Sequence, residues 1–175
     1  MRRIIIIICC YIFAACNSNT PVEEKKELTV FVLVRHAEKA DDGTKDPPLT
    51  TDGQQRANAL AAILRETEVK ALYSTEYKRT RETLAPLSSQ KQIEIKNYKA
   101  FDYDELMAIY KANRGGVVVM AGHSNNIPWI ASMLCGNDTY QDFDERDYDN
   151  LIVVFVEQPG NAKRLHLNYG EPVIF

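Results

Sequence analysis

Cysteine is nearly missing from the body of this 175-residue chain. Three of its four cysteines, Cys9, Cys10 and Cys16, crowd into the first sixteen residues, and only Cys135 lies beyond them. An internal disulfide is therefore excluded there, and Cys135, following Met133-Leu134 in an apolar stretch, reads as a buried inert thiol. Positive charge is also in deficit. With 21 Lys and Arg against 24 Asp and Glu the net charge is −3, which argues against a general nucleic-acid binder. No period of 20–50 residues repeats, and no low-complexity block follows residue 27. The one long apolar run, Ile4–Ala15, has twelve residues, short of the ~20 that span a bilayer comfortably. The remaining composition, 45% hydrophobic and 26% charged, is that of an ordinary globular domain with a sizeable core.

The N-terminus reads as a leader. Met1-Arg2-Arg3 is a positive n-region ahead of the apolar run, and residues 1–15 have the pattern of a signal peptide. Phe13-Ala14-Ala15-Cys16, followed by polar Asn17-Ser18-Asn19-Thr20-Pro21, resembles the lipobox of bacterial lipoproteins. By that resemblance Cys16 is the lipidation site, residues 16–27 are a polar tether, and the domain of residues 28–175 is exported and lipid-anchored at the bacterial cell envelope. A plain secretory peptide cut near Ala15 and an uncleaved anchor are the other readings.

Along the domain, Leu28–Val34 is a Val-rich apolar strand of the kind buried on both faces. A loop over Ala40–Leu49 contains Asp41-Asp42-Gly43 and Pro47-Pro48. Thr50 or Thr51 can cap a helix over 53–66, with Gln54 placed for a capping box from Thr51. Val69–Tyr73 is a short strand. A helix from Tyr77 is expected to break near Pro86, and Gln92–Ile95 alternates as a third strand. Asp102 or Asp104 opens a helix that stops at Gly115-Gly116. Val117–Ala121 is a second wholly apolar strand, and a helix follows with Pro128 in its first turn. The acidic stretch Asp142–Asp149 reads as a solvated loop. Leu151–Val156 and Lys163–Asn168, around Pro159-Gly160, form a hairpin. Strands alternating with helices imply an α/β three-layer sandwich: a mainly parallel central sheet, helices on both faces, and a C-terminal hairpin.

Both wholly apolar strands end in a histidine, His36 after Arg35 and His123 after Gly122. The strand ending at Tyr73 leads through Ser74-Thr75-Glu76-Tyr77-Lys78 to Arg79. In a parallel sheet all three emerge at the carboxyl edge, where open α/β folds keep ligand sites. Two arginines and two histidines in one pocket suit an anion, phosphate above all, because guanidinium forks match phosphate oxygens. A neutral imidazole can serve as nucleophile, and cationic donors can stabilise the transferring phosphoryl oxygens without a metal. Ser124 and Asn125 can donate hydrogen bonds at the helix start. His166, in Leu165-His166-Leu167, reads as a solvent-side strand residue. Gly122-His123-Ser124-Asn125-Asn126 lacks the second glycine of a serine-hydrolase elbow, and the adjacent arginines would repel zinc.

Four segments in order resemble the histidine phosphatase superfamily, the phosphoglycerate mutase-like proteins. Arg35-His36-Ala37 resembles the Arg-His-Gly signature. Asp46-Pro47-Pro48-Leu49-Thr50-Thr51-Asp52-Gly53 resembles the Pro-Leu-Thr-x-x-Gly stretch. The segment from Tyr73 to Thr83 carries the counterpart of a phosphate-binding arginine at Arg79, and Gly122-His123-Ser124 that of the second histidine. The resemblance implies that His36 is the nucleophile and that Arg35, Arg79 and His123 hold the phosphoryl group. It implies a proton donor between Arg79 and His123, with Asp102 favoured over Asp104 and Glu105, and Glu38 a further candidate. Ala37 stands where the signature has glycine and adds one methyl near the phosphate. The expected activity is that of a metal-independent phosphomonoester hydrolase of the histidine acid phosphatase type, working through a phosphohistidine on a small-molecule phosphoester, with no cofactor or metal. A non-catalytic lipoprotein that binds phosphorylated ligands is the alternative, and a phosphomutase is less favoured.

Overall fold

A computed structural model describes residues 27–136 and 141–173. The expected signal peptide over 1–15, Cys16 and the tether up to residue 26 lie outside the described residues. The elements are β1 (Thr29–Arg35), α1 (Thr51–Ile63), β2 (Val69–Ser74), α2 (Lys78–Lys91), β3 (Ile95–Asn97), α3 (Tyr103–Ala112), β4 (Val117–Gly122), α4 (Asn126–Cys135), β5 (Asn150–Gln158) and β6 (Asn161–Asn168).

One sheet of six strands runs β3-β2-β4-β1-β5-β6. The first four are mutually parallel, and β5 and β6 form the antiparallel C-terminal hairpin. Alternation along the strands builds a core on each face. Phe31, Leu33, Val118 and Met120 pack with Leu106 and Ile109 of α3 and Ile127, Ile130 and Leu134 of α4. Val32, Val34, Val119 and Ala121 pack with Leu60 and Ala61 of α1 and Leu84 and Leu87 of α2. The mixed α/β architecture, with helices on both faces, is the one expected from the sequence. Each fully buried Leu, Phe or Met contributes on the order of 2 kcal/mol, so β1 and β4, apolar on both sides, fix the middle of the sheet.

Three local expectations are corrected. The helix α2 does not stop near Pro86 but continues to Lys91. Proline forfeits one backbone bond and crowds the preceding turn. That loss is offset by burial of Leu87 and by bonds at the helix end, Ser88 Oγ to the Ile93 carbonyl and Lys91 Nζ to the Arg65 carbonyl. The third strand is Ile95–Asn97 rather than Gln92–Ile95, because Gln92 takes a left-handed φ of 56° as the cap of α2. Helix α1 spans Thr51–Ile63 instead of 53–66, with Thr50 as its cap accepting from the Gly53 N–H at 3.1 Å.

Candidate active site

Parallel pairing brings the site residues together. Arg35 is paired with Gly122 and Ser74 with Ala121, so β1, β4 and β2 end level with one another. His36, His123 and Thr75 are the next residues on those three strands, at the carboxyl edge. The rings of His36 and His123 meet edge to face with centroids 5.5 Å apart. Arg79, in the first turn of α2, stacks its guanidinium 4.4 Å from the Tyr77 ring. A cleft of about 900 Å³ opens over this edge, and His36, Arg79, His123, Ser124 and Asn125 all line it.

His36 is buried and oriented. Its Nδ1 lies 2.8 Å from the Ala37 carbonyl oxygen. A carbonyl can only accept, so Nδ1 carries the proton and Nε2 keeps its lone pair. Burial is the main reason its pKa falls to about 3; the Ala37 bond opposes this, while Arg35, His123 and Arg79 add to it. The ring is therefore neutral at ordinary pH, the form a nucleophile requires. His123 is lowered to about 4, again chiefly by burial, then by Arg79 and Arg35, with Glu145 opposing.

Arg35 is wholly buried. Its Nη1 donates to the Asp144 and Asp147 carbonyls at 2.8 and 3.0 Å, and its Nη2 to a Glu145 carboxylate oxygen at 2.7 Å. The Nε–H groups of Arg35 and Arg79 are buried without a hydrogen-bond partner among the described residues. Buried donors are rarely left so, and two of them beside two neutral imidazoles make a cradle for an oxyanion.

Several supports were not legible in the sequence. His123 is fixed by Asn126, whose Oδ1 accepts from its backbone N–H at 2.6 Å, and by Thr75 Oγ1, 3.0 Å from Nε2. Asn126 is itself buried and donates to the Tyr98 hydroxyl at 2.8 Å. Thr83 Oγ1 accepts from the Ala37 N–H and donates to the Arg79 carbonyl, at 2.9 and 2.7 Å, joining the two arginine segments. Asn126 lies outside the motif segments, and Thr75 and Thr83 fall within the Tyr73–Thr83 segment with nothing in the sequence to mark their bonds; their neighbours in space do. The resemblance at Gly53 has a steric cause: a Cβ there would lie 2.3 Å from the Glu38 carbonyl oxygen, so α1 can start against the turn after His36 only with glycine. Asp46 accepts from the Lys78 N–H at 2.8 Å and so caps α2 from the loop, since Tyr77 makes no side-chain cap.

Other expectations move. Ala37 packs with Leu49 and Ala57 and is absent from the cleft lining, so its methyl points into a small apolar cluster and not toward the anion site. Asp102 is not brought to the histidines: its carboxylate caps α3 by accepting from the Glu105 N–H at 2.9 Å, and it does not line the cleft. The unpaired N–H groups of the first helical turn claim it. Glu38 is held away by Arg56 in a bidentate pair and lines a separate cavity. Asp104 does not line the cleft, whereas Glu105 does, together with Glu76 and Glu145. The acidic loop is not merely solvated, for its backbone and Glu145 hold Arg35.

The fold and cleft define an α/β protein with two histidines in ring contact beside two arginines with buried Nε–H groups at the carboxyl edge of its sheet. Residues 31–102 match the model of the histidine phosphatase superfamily (branch 1). No curated protein matches the chain. Among solved structures, it resembles the protein histidine phosphatase SixA complexed with tungstate, at 18% identity over 79% of this chain and 96% of the other, with TM-score 0.67. A putative phosphohistidine phosphatase SixA from Nakamurella multipartitia is 22% identical, covering 84% and 98%, with TM-score 0.61. A phosphoglycerate mutase from Bacillus anthracis is 12% identical, covering 81% and 94%, with TM-score 0.63. At these identities the likeness is one of fold.

Proposed function

We propose that the protein is a metal-independent phosphomonoester hydrolase acting through a phosphohistidine at His36. The observation that carries this is the pairing of a neutral imidazole, its Nδ1 locked as donor, with two buried guanidinium groups that each keep an unpartnered N–H. The phosphoryl group of a small phosphoester is held by Arg35, Arg79, His123 and Ser124, with Asn125 at the cleft wall. His36 Nε2 attacks phosphorus and forms a P–N bond as the P–O bond to the leaving alcohol breaks. The leaving oxygen takes a proton from a carboxyl of the cleft wall, where Glu105 stands. Water then attacks phosphorus and returns a proton to that carboxylate, the P–N bond breaks, inorganic phosphate leaves and the imidazole is restored. The cations supply the charge stabilisation that a metal provides elsewhere. The leader pattern of residues 1–15 and Cys16 supports export and lipid anchoring, and growth with labelled fatty acid, comparing wild type with Cys16→Ser, tests that part.

The enzymatic reading is tested by turnover of an aryl phosphate in the presence of chelator. His36→Ala is expected to lower kcat at least ~1,000-fold, as loss of a covalent nucleophile does. An acid-labile phosphoryl label should appear on the wild-type protein in a rapid quench. Wild-type protein that binds phosphate and shows no turnover would instead fit a ligand-binding lipoprotein.

A further inference from the structure

The carboxylate of Glu145 occupies an unusual place. One oxygen accepts from Arg35 Nη2 at 2.7 Å, and the other accepts a short bond from Ser124 Oγ. Both donors belong to the set read as holding the phosphoryl group. A carboxylate spanning a buried guanidinium and a hydroxyl mimics two oxygens of a phosphoryl group. The side chain is nonetheless 75% exposed, whereas that of Arg35 is 1% exposed. Glu145 can thus swing into solvent without giving up packing. Arg35 would stay in place when it does, because the Asp144 and Asp147 carbonyls hold Nη1 separately and Tyr148 packs 4.4 Å from the guanidinium carbon.

We infer that Glu145 is a built-in competitor for the phosphate site, an affinity-determining residue whose carboxylate holds Arg35 and Ser124 until the phosphoryl group of the substrate displaces it. The inference rests on the reading of this cleft as a phosphoryl site and adds to it a residue that no motif marks. The physical reason is charge. A phosphoryl group on Arg35 Nη2 and Ser124 Oγ would share both donors with a carboxylate, placing like charges within ~4 Å, where repulsion is substantial even near a surface. The two cannot occupy the donors together. The competitor weakens binding of substrate and of the product phosphate alike and favours release of phosphate at the end of the cycle.

The test is calorimetric titration of the full-length protein with inorganic phosphate and with tungstate, for wild type, E145Q and E76Q. Glu76 lines the same cleft and makes no hydrogen bond to Arg35 or Ser124. E145Q keeps the side chain's shape and removes the charge, so it should bind both anions about tenfold more tightly, the lower end of the like-charge effect at an exposed position. E76Q should change by no more than about twofold, as a screened rim charge does. Unchanged or weaker binding in E145Q overturns the inference, as does an equal gain in E76Q, which would show a general field and no competition. E145A guards against a new amide contact to Arg35, and it too must bind more tightly. If wild type hydrolyses aryl phosphate while E145Q binds anions no better, only this inference falls. If neither wild type nor E145Q binds phosphate or tungstate, the phosphoryl-site reading falls with it.

Discussion

Lowering the pH from 7.5 to 5 should cost this protein about 2 kcal/mol of stability through His36 alone. In the fold its pKa is pushed down to about 3, first by burial, against an ordinary value of 6.5 in the unfolded chain. Between those two values the unfolded chain binds a proton that the folded chain does not. Stability is therefore full above about pH 6.5, falls as the pH drops through that value, and goes on falling until about pH 3. At pH 5 the unfolded imidazole is ~97% protonated, and one and a half pH units at ~1.4 kcal/mol each give ~2 kcal/mol. That figure depends on the unfolded value alone, provided the folded one lies well below 5. His36→Asn removes the proton site while keeping a side chain able to donate to the Ala37 carbonyl. Urea unfolding of both proteins at pH 7.5 and 5.0 checks it, in buffer free of phosphate, because a bound anion would stabilise the wild type by mass action. The variant should gain ~2 kcal/mol relative to wild type on going to pH 5. His123, lowered to about 4, acts with the same sign in both proteins and largely cancels. A relative stability that stays constant within ~0.5 kcal/mol, about what extrapolation resolves, would refute the burial of a neutral His36.

Two further substitutions separate support from chemistry. Gly122→Ala would put a Cβ 2.4 Å from Asn126 Oδ1 and 2.5 Å from the Tyr98 hydroxyl. It should cost ~1–3 kcal/mol by disturbing buried bonds and lower kcat for an aryl phosphate by misplacing His123; a stable, fully active variant would show that the Asn126 contact is dispensable. Asp102→Ala should lose ~1 kcal/mol of thermal or urea stability as a helix cap with kcat changed less than about threefold, and a kcat loss beyond ~100-fold, on the scale of a missing general acid, would return Asp102 to the role of proton donor.

The sequence by itself determined the layers and the edge at which the chemistry could gather. Runs such as Phe31–Val34 and Val118–Ala121, apolar at every position, can lie only in the interior of a covered sheet, and parallel neighbours of that kind must release Arg35-His36 and His123 on the same side. The capping threonine and the glycine of Thr50-Thr51-Asp52-Gly53 were equally local signals. Tertiary structure decided what surrounds those residues. The order β4-β1-β5 sets an antiparallel strand beside β1, and that pairing carries the loop before β5 to the end of β1. A run of acidic residues that looks like solvated surface in one dimension thereby supplies two carbonyls and a carboxylate to Arg35. The same holds for Asn126, Thr75 and Thr83, each bound to a partner far away or across a turn, and for Asp102, where a cap and a proton donor look alike until the helix it starts is oriented. Periodicity reports which face of an element is buried; it carries no information on which strand lies next to which, and at this site the adjacency of β5 to β1 brings Glu145 to Arg35.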